Sequence, residues 1–191
     1  MTGITVLIPD RLSIEVFSLP RTMSTPLLDS IRRAFTQRGW HCDPVPGREV
    51  VEASFEAHHT RVRVHAQAFP DIKAVSVVGY ATADVPAARA GLIAEALMRL
   101  NQQLTLGNFE MDYDAGRVFF RITNVFLSEA GDSSIIASLV HAAVAEIDRL
   151  TPFLTLLLRM EAAELARLNL RLFLQREDLL PPVEADGKLL S

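Results

Sequence analysis

The sequence has little that would support disulfide, thiolate-metal or membrane chemistry. It contains one cysteine, Cys42, among 191 residues, which excludes an internal disulfide and a metal cage built from several thiolates. Its most apolar late stretch, residues 153–158, is bounded by Pro152 and Arg159 and is far shorter than the roughly 20 residues that span a membrane. The first ten residues lack a basic region, so we expect no signal peptide. These features predict a reduced, cytoplasmic protein without a membrane contact.

Lysine is also scarce, and the chain carries no strong charge of either sign. The only lysines are Lys73 and Lys188, the net charge is −4, and the isoelectric point is about 5.7. A mildly acidic chain does not attract phosphates over its whole surface, so we expect no nucleic-acid partner. Hydrophobic residues make up 49% of the sequence, which is enough for one domain with a substantial core.

The N-terminal half predicts one helix followed by three strands. Ser24 or Thr25 can cap a helix whose first turn contains Pro26, and Gly39 suits a left-handed stop. Residues 60–68 alternate valine and alanine with arginine and histidine, a pattern typical of an antiparallel strand with one buried face. The predicted strands cover residues 49–57, 60–68 and 72–81. Two shorter strand-like pieces precede the helix, at residues 4–8 and 13–17.

The C-terminal half predicts a helix, a β-hairpin and two more helices. The helix begins near Pro86 and covers about residues 84–103, and the hairpin covers 105–126. Ser133 and Ser134 are suited to open a third helix, which we expect to end near Leu150 because Pro152 interrupts its apolar pattern. A fourth helix is predicted over about residues 153–175.

The hairpin turn can be predicted in two ways. A two-residue turn at Ala115 and Gly116 would form two cross-strand ion pairs, Asp114 with Arg117 and Glu110 with Arg121. Alanine is strained at a positive-φ turn position, so a three-residue loop with a glycine bulge is the alternative.

Together these elements predict an α+β fold, an antiparallel sheet with helices packed on it. The order is α-β-β-β-α-β-β-α plus a C-terminal helix. We expect residues 1–22 to form an N-terminal lead-in, residues 23–178 a single domain, and residues 179–191 a disordered tail.

One stretch carries a family resemblance. Residues 101–121 read N-Q-Q-L-T-L-G-N-F-E-M-D-Y-D-A-G-R-V-F-F-R. They resemble the pattern N-x-x-L-x-x-G-N-F-E-h-D-x-x-x-G-x-h-x-F-R, with h an apolar residue, of the YbjN family of proposed bacterial sensory-transduction regulators. The matching signature residues are Asn101, Gly107, Asn108, Phe109, Glu110, Asp112 and Gly116. Residues 148–152 also resemble the turn that follows the third helix in that family.

The resemblance implies a fold like that of the type III secretion chaperones. It supplies no established catalytic residues. It implies a regulatory or chaperone-like domain that binds a protein partner and is not an enzyme, and the predicted element order agrees with it. We also expect Asn101 and Asn108 to tie the end of the second helix to the hairpin by backbone hydrogen bonds.

Glu110, Asp112 and Asp114 provide an alternative function. Their carboxylates alternate along one predicted strand and would share one face, which could suit a hard cation such as Ca²⁺ in a ligand- or metal-sensing domain. The more economical interpretation is a solvated face balanced by Arg117 and Arg121, because no calcium-loop pattern with a distant glutamate is present.

Other chemistry-bearing residues form no recognisable catalytic or metal motif. His58 and His59 are adjacent and would point to opposite faces of a strand, and no helical histidine pair is present. Cys42 follows His41 without a third positioned group. We therefore expect no catalytic residues, no metal site and no cofactor.

The predicted fourth helix has more apolar residues than one core stripe needs. We expect either core or homodimer packing, or a surface that captures a segment of a protein partner. The candidate partner-binding residues are Leu157, Leu165, Leu168 and Phe173.

Overall fold

The computed structural model describes residues 24–179, so the expectations for residues 1–22 and 180–191 lie outside the described part. The helices are α1 (Pro26–Gln37), α2 (Ala90–Asn101), α3 (Ser133–Arg159), α4 (Ala162–Leu165) and α5 (Leu170–Phe173). The strands are β1 (Asp43–Pro44), β2 (Val50–Glu56), β3 (Arg61–Phe69), β4 (Ala74–Asp84), β5 (Asn108–Asp112) and β6 (Arg117–Val125). Short 3₁₀ turns occupy Pro70–Ile72, Ala87–Arg89 and Glu177–Leu179.

The strands form one antiparallel sheet in the order β1-β2-β3-β4-β6-β5. This confirms the predicted α+β class. The short strand β1, which pairs only with Val51 and Glu52 of β2, was not predicted because two residues carry no readable alternation.

One face of the sheet is covered by helices, and within residues 24–179 no helix covers the other, which we call the open face. On β3, Val62, Val64 and Ala66 are fully buried beneath α1 and α3, whereas Arg61 and Arg63 are exposed on the opposite face. This is the alternation expected of a strand with one buried side. The core therefore lies between the sheet and α1, α2 and α3, and the other face is available for polar chemistry.

The first helix begins and ends as predicted. The Thr25 side chain accepts a hydrogen bond from the Leu28 backbone N–H at 3.3 Å, and Pro26 occupies the first turn. Gly39 has φ of 70° after the last turn. Both ends are set by local chemistry, a side-chain acceptor and a left-handed glycine, which is why the sequence located them correctly.

Both predicted turns of the hairpin are wrong. Asp112 lies opposite Arg117, so residues 113–116 form a four-residue loop. The Asp112 carboxylate accepts a hydrogen bond from the Ala115 backbone N–H at 2.9 Å, which closes the loop from within. The cross-strand pair of Asp114 with Arg117 is therefore replaced by Asp112 with Arg117, at 3.7 Å.

Backbone conformation and close packing explain why glycine occupies signature positions 107 and 116. Gly107 and Gly116 have φ of 72° and 64°, a region that other residues adopt only with strain. A Cβ atom at Gly107 would also overlap the Phe120 ring, and one at Gly116 would overlap the Val85 carbonyl. The glycines thus allow the ends of strand β5 and the hairpin loop to pack directly on their neighbours.

The helix predicted from residue 84 begins later. β4 continues to Asp84, which lies opposite Arg117, and Val85 donates its backbone N–H to the Gly116 carbonyl at 2.7 Å. These bonds keep the chain extended up to Pro86, and α2 begins at Ala90 after a 3₁₀ turn.

The predicted boundary at Pro152 is wrong as well, because α3 runs through it from Ser133 to Arg159. Asp132, rather than either serine, caps the helix through its carboxylate. Pro152 cannot donate to the carbonyl four residues earlier, but the apolar face stays buried on both sides of it. The buried residues of this part of the helix are Ile147, Leu150, Phe153, Leu154 and Leu157.

Two further expectations change with this helix. Residues 148–152, which resembled a turn, lie inside α3, where Thr151 Oγ1 donates to the Ile147 carbonyl at 2.8 Å. The single fourth helix is replaced by the last part of α3 and the two one-turn helices α4 and α5.

Candidate interaction surface

The four residues expected to bind a partner divide into two pairs. Leu157, on α3, is 1% exposed and Phe173, on α5, is 5% exposed, so both belong to the core and are not accessible to a partner in this fold. The Phe173 ring meets the Phe153 ring edge to face at 5.7 Å. Leu165 and Leu168 are half-buried. Only this second pair can contribute to a surface.

The segment after α3 is held in place at several points. Arg89 donates a hydrogen bond to the Met160 carbonyl, and Glu161 and Glu164 form a reciprocal cap at the start of α4. The Asn169 side chain accepts from the Leu172 backbone N–H at 3.2 Å and caps α5. Because its ends are capped and its anchors buried, this segment presents a defined surface.

A groove separates this segment from α2. The groove has a volume of about 530 Å³. We call it the C-terminal groove; it is lined by Leu92, Glu95 and Arg99 of α2 and by residues 165–171. Its apolar lining includes Leu165 and Leu168, and Glu95 and Arg99 pair with each other at 2.6 Å.

Leu172, one residue beyond the groove lining, adds exposed apolar surface. It is 62% exposed, whereas Leu170 and Phe173 on the same turn of helix are buried. Arg167 and Arg171 line the groove and form no ion pair with any residue in the range 24–179. The surface therefore combines exposed leucine with uncompensated positive charge.

Signature residue Asn101 connects α2 to the hairpin, as predicted. Its amide oxygen accepts the Phe109 backbone N–H at 2.7 Å, and its amide nitrogen donates to the Phe109 carbonyl at 3.0 Å. The side chain thus replaces a neighbouring strand at the outer edge of β5. Asn108 does not share this role; its side chain contacts Glu110 at 3.1 Å.

On the acidic strand face, the carboxylates of Glu110 and Asp112 already accept hydrogen bonds from other residues of the chain. Both oxygens of Glu110 accept from Arg121, at 2.9 and 3.2 Å, and Asp112 closes the hairpin loop. Asp114 lies exposed in that loop. Within residues 24–179, no three histidine, cysteine, aspartate or glutamate side chains are grouped so as to hold a metal. The geometry matches the balanced-face interpretation.

A buried carboxylate that the sequence analysis missed joins α3 to the sheet. Asp148 is 1% exposed, and its Oδ1 atom accepts the His59 backbone N–H at 2.6 Å. The other oxygen lies 3.3 Å from Nδ1 of the His59 ring. The signal was available in the sequence, since Asp148 occupies a position between buried residues Ile147 and Leu150 where a lone charge needs a partner.

Cys42 and the remaining histidines form no reactive pair. Burial raises the pKa of the Cys42 thiol, which disfavours the thiolate. His41 faces Asp43 at 3.4 Å, and the His141 ring packs edge to face on Trp40 at 4.9 Å.

In the described range, no helix is long and apolar enough to cross a membrane.

The fold and this surface define an α+β domain with one open sheet face and a groove beside its last helices. A model of the YbjN family, described as "Putative bacterial sensory transduction regulator", matches residues 27–155. The chain belongs to the YbjN family, as the signature predicted.

A solved structure of a YbjN protein aligns with part of this chain. The crystal structure of YbjN from E. coli, described as a putative transcription regulator, aligns with 63% of this chain and 85% of its own. The sequence identity is 11% and the TM-score is 0.48. No curated protein matches the chain.

Proposed function

We propose that this chain is a non-enzymatic regulatory domain that binds a protein partner through the C-terminal groove. The observation that carries the proposal is the exposed Leu172 side chain, one residue beyond a groove whose lining includes half-buried Leu165 and Leu168. Exposed apolar surface next to a groove is typical of interaction sites. Membership of a family described as regulators supports the class, and a cytoplasmic location and a chaperone-like action are parts of the same proposal.

The groove favours a partner of particular chemistry. Its leucines suit an apolar segment such as one face of an amphipathic helix. Arg167 and Arg171, which no described carboxylate neutralises, suit acidic residues flanking that segment. We therefore propose an apolar segment with neighbouring aspartates or glutamates, and we expect its association to slow as salt is added.

Self-association is the competing outcome at the same surface. A second copy of the chain could also cover Leu172, and a homodimer is part of the proposal from the sequence. Light scattering after size-exclusion chromatography separates the two cases. If Leu172→Asp converts a dimer to a monomer, the surface is a dimer interface instead of a site for another protein.

The test is an affinity purification from the native host under gentle crosslinking, with three matched baits. The baits are the native chain, Leu172→Asp, and Leu127→Asp as a control, because Leu127 is also exposed but lies on the loop after β6, away from the groove. We expect a partner that the native chain and the control retain and that Leu172→Asp loses. Equal recovery by all three baits, or no reproducible partner, would overturn the proposal.

The alternative, a ligand- or metal-sensing domain at residues 110–114, has weaker support. Glu110 already accepts a hydrogen bond from Arg121, and the Asp112 carboxylate already accepts one from Ala115 within the hairpin loop. A cation would have to displace those partners before it gained ligands.

A further inference from the structure

A polar pocket lies on the open face of the sheet, away from the C-terminal groove. Glu52, His65, Val78 and Arg121 follow one another across β2, β3, β4 and β6 in a single cross-strand row. Val45 and Arg48, from the loop between β1 and β2, close one side of the pocket. Its volume is about 240 Å³, room for a small molecule. We call it the His65 pocket.

The side chains around His65 form an incomplete hydrogen-bonding network. The Tyr80 hydroxyl lies 3.3 Å from His65 Nδ1. Glu52 Oε1 lies 3.0 Å from Nε2 without forming a hydrogen bond, and this buried nitrogen has no hydrogen-bond partner among the described residues. Buried polar atoms of this kind are usually satisfied by another group.

Positive charge accumulates at the same place. Arg48 and Arg63 form no ion pair with any described residue, and both lie close enough to help hold the pKa of His65 below its usual range, an effect due first to burial. Arg121 also lines the pocket but is paired with Glu110. Of these arginines, Arg48 and Arg121 line the pocket beside Glu52, whereas Arg63 lies outside its lining.

Aromatic rings restrict where the arginines can lie. The Arg63 guanidinium stacks over the Tyr80 ring at 4.9 Å, and the His65 ring meets the same tyrosine edge to face at 4.9 Å. Arg121 lies over the Phe119 ring at 5.4 Å. Stacked guanidinium groups lose less freedom on binding an anion, because their planes are already oriented.

We propose that the His65 pocket binds a small organic oxyanion, a carboxylate or phosphate group carried by a molecule of metabolite size. Arg48, which lines the pocket and has no ion-pair partner among the described residues, would supply the compensating charge, and the Nε2 atom of His65 would bond to the anion. Charge-assisted bonds from guanidinium groups are the usual means by which proteins hold such groups.

The proposal includes a defined pH dependence. An anion beside His65 favours the imidazolium form, so the pKa of His65 rises on binding and a proton is taken up. The groups that face the ring are Arg48, Glu52, Arg63, Tyr80 and Arg121. Affinity should therefore increase as pH falls through the range in which the bound histidine titrates.

The test uses the full chain with three salts at matched ionic strength: sodium phosphate, sodium citrate and sodium chloride. We expect phosphate or citrate at about 10 mM to raise the melting temperature beyond the chloride reference. The salt that does so identifies phosphate or carboxylate as the preferred group. Arg48→Gln should weaken that binding about tenfold.

Two more variants keep the result interpretable. Arg61→Gln is the control, because Arg61 lies on the same strand but pairs with Glu56 and does not line this pocket. It should bind like the native chain. His65→Gln should abolish the increase in affinity on acidification. An equal response to all three salts, or a response unchanged in Arg48→Gln, would overturn the proposal.

Discussion

The Asp148 carboxylate accepts a hydrogen bond from the backbone N–H of His59, which lies 89 residues earlier in the sequence, at 2.6 Å. This single bond joins the middle of α3 to the loop between β2 and β3. Asp148 is 1% exposed, whereas His59 is an exposed residue, so the bond links a buried carboxylate to a surface loop. The contact therefore fixes one end of the sheet against the longest helix.

Asp148→Ala should destabilise the protein by about 1–3 kcal/mol, because it removes the charge-assisted hydrogen bond that joins α3 to the loop between β2 and β3. Chemical denaturation measures the change in the free energy of unfolding. Asp148→Asn retains an acceptor oxygen and should cost less. The control is Asp114→Ala at an exposed loop position, expected within about 0.5 kcal/mol of the native chain. A loss no larger for Asp148→Ala than for the control contradicts the structural role.

The Asn101 side chain should stabilise the hairpin far more than the Asn108 side chain. Asn101→Ala leaves both the N–H and the carbonyl of Phe109 without this partner, so we expect a loss of about 1–3 kcal/mol. Asn108→Ala is a matched control that removes only an exposed contact with Glu110. Equal losses on denaturation would show that Asn101 is not the specific link between α2 and β5.

Glu146 should make the folded protein less stable as pH rises. Burial raises the pKa of its carboxyl above the ordinary value, against a smaller opposing effect of Arg149. The folded state then binds more protons than the unfolded state, so its stability falls as pH increases from the unfolded pKa through the raised folded pKa. Glu146→Gln should reduce this decline and be more stable than the native chain at neutral pH. The same pH slope in both proteins, measured by denaturation, would contradict the expectation.

A thermal-shift screen distinguishes the metal-sensing alternative. With Glu110 and Asp112 held by internal partners, we expect no melting shift with Ca²⁺, Mg²⁺, Mn²⁺ or Zn²⁺ at about 5 mM, since a ligand of the native state must stabilise it. A shift that is present in the native chain and absent from Glu110→Gln would instead place a cation site on this strand.

Sequence reasoning succeeded where the determining chemistry was local. Thr25, Pro26 and Gly39 mark the ends of α1 within a few residues, and the alternation along β3 records which face is buried. Gly107 and Gly116 were recognised through the family signature, although their packing against Phe120 and Val85 required the structure.

The failures occurred where distant parts of the chain decided the outcome. Pro152 usually ends a helix, but burial of the residues on both sides of it keeps α3 continuous. The sequence predicted that Leu157 and Phe173 lie on a partner-binding surface, but in the folded chain other elements bury both side chains. The Asp148 bond and the His65 pocket likewise depend on elements that meet only in the folded chain.

The central claim is that Leu172 and the C-terminal groove bind a protein partner. The most direct measurement uses the partner that crosslinking recovers, after it has been produced recombinantly. Its affinity is measured for the native chain, for Leu172→Asp and for Leu127→Asp. Burial of one leucine in an interface predicts that Leu172→Asp binds at least about tenfold more weakly while Leu127→Asp binds like the native chain. Equal affinity of all three proteins would contradict the account and move the interaction to another surface.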